Sequence, residues 1–152
     1  MEVKDLKTSE DCEKFARNLD RLGKPDIANN ARLKGVKLRV VEKTNCYIKD
    51  NGNISAVERD TLIAIYAYEE TLRKKYGKAQ RAQRTWNAIK NNGIVSAAES
   101  AVKKQEDRVG YIALAEIGLE DLSFESVVLK YPDDFSEKAV SAAKSRLSKT
   151  MD

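Results

Sequence analysis

The sequence predicts an all-α fold, a compact multi-helix domain of seven to eight helices. Three observations lead there. Apolar residues recur at spacings of three and four between recognisable helix starts and stops. The 7 glycines and 2 prolines of the 152-residue chain mostly fall at the ends of those segments rather than inside them. One stretch alone, residues 36–48, alternates like a strand, with Val36, Leu38 and Val40 separated by Lys37 and Arg39. A short β-hairpin through Tyr47 and Ile48 is therefore the alternative there. The length suits one domain, read as an N-terminal helical pair (1–50) and a helical core (54–152) in one folded unit.

The elements follow in order. Thr8-Ser9 ahead of Glu10 and Asp11 marks a first helix, whose stripe is Phe15, Leu19 and Leu22 and whose stop is Gly23. Pro25 opens the second. Ile27, Ala28, Ala31 and Leu38 share one of its faces, and Leu33, Val36 and Val40 the other, so it should be covered on two sides. Residues 49–53 (Lys-Asp-Asn-Gly-Asn) are a loop. Ser55 and Glu58 then form a capping box for a helix ending at Tyr76-Gly77. Its core face is Val57, Thr61, Ala64, Ile65, Tyr68, Leu72 and Tyr76, which leaves Ile63 and Tyr66 on the opposite side.

A basic helix is expected over 78–91, stopping at Asn92-Gly93. Ser96 and Glu99 read as a second capping box for a short helix to Lys104. Further helices are expected over 106–117, with Gly118 as its break, over 121–130 ahead of Pro132, and from Ser136-Glu137 to Ser148.

Charge is the strongest functional signal. Residues 1–70 carry 13 basic and 13 acidic groups, residues 71–104 carry 9 and 1, and residues 105–152 carry 6 and 10. No acid occurs between Glu70 and Glu99, a window holding Arg73, Lys74, Lys75, Lys78, Arg81, Arg84 and Lys90. Such a cluster attracts polyanions by long-range field and counterion release.

Other classes are argued against. With no histidine, the Ser-His and Cys-His nucleophile pairs and the commonest general base near neutral pH are missing. The glycines form no phosphate-binding loop. Glu58, Asp60, Glu69 and Glu70 point in different directions around one helix, and Glu116, Glu120, Asp121 and Glu125 lack a supporting ligand set, so neither a metal nor a cofactor is expected, and no enzyme activity. Cys12 and Cys46 suit a reduced compartment. The polar N-terminus is no signal peptide and the longest apolar run, Leu62 to Tyr68, is too short for a membrane, so a cytoplasmic protein is expected.

On the 78–91 helix, Ala79, Ala82, Trp86 and Ile89 form the buried stripe, and Gln80, Arg84, Asn87 and Asn91 lie opposite with Arg81 beside them. Arg, Asn and Gln are the side chains that read guanine and adenine edges, and residues 78–104 resemble a helix-turn-helix in outline. The expected interface thus has Arg73, Lys74, Lys75, Lys78 and Arg81 on phosphates, with Arg84, Asn87 and Asn91 near bases or sugars. Tyr76 is the better stacking candidate and Trp86 the core residue. The reading is a non-catalytic nucleic-acid-binding protein, DNA ahead of RNA. The alternative is a protein-interaction or self-assembly module, a homodimer or the binder of an acidic protein surface, using the basic and acidic sections and an apolar contact at Ile63 and Tyr66.

Overall fold

The computed structural model, which describes residues 2–43, 54–104 and 109–150, is all-α, in line with the periodicity. Among these residues eight α-helices run in order: α1 (Ser9–Arg21), α2 (Pro25–Lys43), α3 (Ala56–Tyr76), α4 (Gln83–Asn92), α5 (Ile94–Lys104), α6 (Val109–Glu116), α7 (Phe124–Lys130) and α8 (Glu137–Thr150). Val36, Leu38 and Val40 lie inside α2, so the strand reading fails for residues 36–43. Cys46, Tyr47, Ile48 and the 49–53 loop lie outside the described residues.

The local signals place most boundaries. Thr8 caps α1 by accepting the Asp11 N–H at 3.1 Å, and Gly23 takes the left-handed turn that ends it, at φ 71°. Ser55 and Glu58 close a reciprocal capping box on α3 at 3.2 and 3.0 Å. Two expected starts move. α5 begins at Ile94, directly after Gly93, so Ser96 lies inside the helix rather than capping it. Its partner Glu99 serves another helix: Oε1 accepts the Ser136 N–H at 2.7 Å, and Ser136 in turn accepts from Ala139 at the head of α8. That hydrogen bond holds the Glu99 carboxyl below its ordinary range. The expected 121–130 helix is split, because Ser123 caps a shorter α7 after a 3₁₀ turn at Glu120–Leu122.

α1 and α2 lie antiparallel, as the paired positions 9 with 42, 13 with 39 and 20 with 32 require. They approach closely because the seam is built from small residues: Cys12 and Ala16 meet Ala28, Ala31 and Gly35. The other face of α2 places Val36 and Val40 in the main core, so this helix is covered on two sides as its sequence suggests. Ile27 is the exception, exposed at the start of α2.

α3 is the hub. One side enters a cluster with α2, α4, α5 and α6 through Leu62, Ile63, Ile65 and Tyr66. Its other side, Val57 and Ala64, joins α5, α7 and α8 around Val102, Val128 and Ala139. Between Thr61 and Thr71 the helix is enclosed around its circumference and has no solvent face to spare. Ile63 and Tyr66 are therefore 7% and 3% exposed, which removes them as a surface contact for a partner, while Tyr76 at the end of the helix is 55% exposed. No helix of the described residues is long and apolar enough to cross a membrane.

A Cβ added at Gly35 would meet the Cβ of Cys12 at 3.0 Å, an atom fixed to the α1 backbone. The roughly 1 kcal/mol that alanine gains over glycine in a helix is outweighed by overpacking of about 1–3 kcal/mol. Gly35→Ala should lower the urea midpoint; a raised midpoint would mean that the seam has slack.

Candidate nucleic-acid interface

The basic surface is shaped by what happens at Glu69. This carboxylate lies on α3 among buried groups and faces the segment that returns after the helix ends. Gly77 turns the chain in the left-handed conformation, φ 72°, with its N–H bonded to the Arg73 carbonyl. The chain comes back at Ala82, whose N–H donates to Glu69 Oε2 at 2.8 Å, and at Trp86, whose Nε1–H donates to the same oxygen at 2.6 Å. Residues 78–82 are consequently an arm strapped across the end of α3 rather than the first turn of a helix.

This overturns part of the expected reading face. The helix begins at Gln83, five residues later than its pattern suggests, so Gln80 and Arg81 are not on it. Arg84, Asn87 and Asn91 do share the outer face of α4, spread over about 60° at 100° per residue. Asn87 accepts the Gln83 amide at 3.0 Å. α5, the second member of the helix-turn-helix-like unit, is packed through Ile94, Ala98 and Val102 into both main clusters. A reading helix that must enter a major groove is thus not presented by α5, and α4 has ten residues with which to do it.

Arg73 is taken: it pairs with Glu13 of α1 and, at 3.8 Å, with Glu70. Lys74, Lys75, Lys78, Arg81 and Arg84 are exposed, and among the described residues none of them is paired with a carboxylate. Two are held over rings instead, the Lys75 ammonium 5.4 Å from the Tyr76 centroid and the Arg81 guanidinium 5.3 Å from the Trp86 rings. Trp86 itself is core, against Tyr66 at 5.2 Å between centroids. Tyr76, exposed beside Lys75, is available for stacking.

Residue reasoning missed the other wall. Lys14, Arg17 and Arg21 of α1 face Lys74 and Gly77 across a cleft of about 660 Å³. The spacing of 14, 17 and 21 puts them on one helical face, but the even charge balance of residues 1–70 masks it. The acids of the cleft are already engaged: Asp20 with the buried Arg32, and Glu13 and Glu70 with Arg39 and Arg73. Arg17 has no ion pair among the described residues, whereas Lys14 pairs with Glu10 at 3.1 Å.

The acidic section is less uniform than its count. Glu125 is buried against Arg146 at 3.0 Å, and Gly118 breaks the helical register that would have paired Glu116 with Glu120. Among the described residues no three metal-ligating side chains gather. Comparison with family models, with curated proteins and with solved structures returned no match for this chain.

Glu69→Ala strands two buried donors, each costing about 1–3 kcal/mol. It should lower unfolding stability by about 2–4 kcal/mol and shift Trp86 emission to the red, with Glu69→Gln intermediate; an unchanged spectrum would mean that the strap is not held there. Burial holds the Glu70 carboxyl above its ordinary 4.5, with Glu13 adding to the effect and Arg73 and Arg39 opposing it. Its folded pKa is the higher one, so its stabilising contribution is full below the unfolded value and lost as pH rises through the folded one. Glu70→Gln, which cannot ionise, should therefore lose less stability than the wild type as pH rises above the ordinary carboxylate value in urea unfolding. A difference independent of pH would contradict the shift.

Proposed function

We propose that the protein binds the phosphate backbone of nucleic acid, DNA in the first instance, without catalysing a reaction on it. The supporting surface comprises the last turn of α3, the 78–82 arm, Arg84 and the α1 wall of the cleft. One observation carries the reading: Lys74, Lys75, Lys78, Arg81 and Arg84 are exposed without a carboxylate partner among the described residues, while the nearby acids are engaged by other arginines. Unpaired cations at this density favour a polyanion by counterion release. Contacts of this kind set affinity and position rather than sequence choice, because phosphates carry no base identity. The short α4 and the packed α5 support phosphate gripping over major-groove reading.

Electrophoretic mobility of a labelled duplex DNA at stepped salt should show binding whose log K falls with log salt at a slope of about −4.5, for about five phosphates engaged. Lys74→Glu with Lys78→Glu should flatten that slope by about two and leave the helical circular dichroism unchanged. Arg73→Gln should act on stability before affinity, since Arg73 is an internal pairing residue. Salt-insensitive binding, or a double variant that binds like the wild type, overturns the proposal. Self-association that weakens with salt and ignores DNA would point to the protein-interaction alternative.

A further inference from the structure

A second groove, of about 380 Å³, opens beside the arm between α3, α4, α6 and α7. Its volume is at the lower end of what small-ligand sites enclose. Three rings line it: Tyr68 from α3, Tyr111 from α6 and Phe124 from α7 are each half-buried, with Leu72 beside them. Arg84 lines the same groove and is exposed, so a cation stands at an aromatic opening. At Gly110 a Cβ would lie 3.9 Å from Tyr68 Cε2, in ordinary contact, so an added methyl fits there and takes up part of the groove's width.

Resting on the phosphate-binding reading above, we propose that this groove receives one unstacked base of a single-stranded nucleic acid whose backbone runs over Arg84 and the arm. Rings offer a stacking platform to any base, because every base has a π-face. The neighbouring cation holds the phosphate on the same nucleotide. A paired base cannot enter without leaving its duplex, so the groove confers a preference for single strands. An acidic peptide would match the cations and leave the rings unused. The carboxylate lining the groove, Glu125, is committed to Arg146.

The test measures fluorescence anisotropy of a single strand of about 12 nucleotides and of the same strand annealed. The wild type should bind the single strand about tenfold more tightly than the duplex. Tyr111→Ala should remove that preference and leave duplex binding as it was, while Tyr111→Phe keeps it by keeping the ring. Gly110→Ala fits without overlap and should fold with unchanged or higher thermal stability, yet weaken single-strand binding by narrowing the groove. Photocrosslinking of a 5-iodouracil strand should label Tyr68 or Tyr111. Labelling confined to Tyr76, equal affinity for both forms, or a Tyr111→Ala loss shared by strand and duplex overturns the base pocket while leaving salt-dependent duplex binding intact. Absence of binding to either form removes the phosphate reading, and the pocket with it.

Discussion

Two glutamates and two arginines from three helices hold this molecule in register. Arg39 of α2 meets Glu13 at 3.2 Å and Glu70 at 3.9 Å, and Arg73 of α3 meets the same two carboxylates from the other side. Four alternating charges, none more than about a fifth exposed, compensate one another where any one alone would be costly. Such a group is weak evidence for added stability over an apolar core, but removing one member costs about 3–5 kcal/mol. Its importance is positional. Arg39 also lies 5.8 Å over the Tyr66 ring, Tyr66 packs on Trp86, and Trp86 donates to the Glu69 carboxylate that anchors Ala82. The N-terminal pair, the hub helix and the arm are thus fastened by one continuous set of contacts.

A division of labour between the two kinds of cation accompanies this arrangement. The internal partners are arginines: Arg32 with Asp20, Arg39 and Arg73 with the two glutamates, Arg146 with Glu125. A planar fork with several donors satisfies carboxylates in tight quarters better than a hydrated ammonium does. The lysines at 74, 75 and 78 stay in water, at the negative end of the α3 dipole, where positive charge is stabilising. With nearby acids held inward by arginine, the lysines are left unneutralised, and positive charge is concentrated on this face although the net charge of the chain is only +4.

Helix existence and most stops were legible in the residues, because Thr8, Ser55, Gly23 and Gly77 act within four positions of the backbone groups they serve. The start of α4 was not. Ala79, Ala82, Trp86 and Ile89 keep a helical period through residues that are not helical, and the competing interaction, Glu69 with the Ala82 N–H, comes from a residue 13 positions away. Ser96 fails for a similar reason, since Glu99 finds a better donor 37 positions on, in Ser136. For the site, the exposed run from Lys74 to Arg84 was visible as a gap in acidic residues. The loss of Arg73 was not, since its partner Glu13 is on another helix with nothing local to announce it. The α1 wall was hidden by its own acids, whose engagement with arginine is a tertiary fact.

Fastening the arm at both ends matters for any anion it meets. A flexible basic segment must be ordered on binding, and each immobilised long side chain costs about 0.5–1.5 kcal/mol. Here the backbone is already set at Gly77 and Ala82, and Arg81 and Lys75 already rest over Trp86 and Tyr76. A guanidinium lying on a ring still has its N–H edges directed sideways, so it can donate to a phosphate without leaving the ring. The same contacts that keep the helices in register therefore reduce the ordering cost at the surface. That links the buried charge network to the proposed binding more directly than the count of basic residues does.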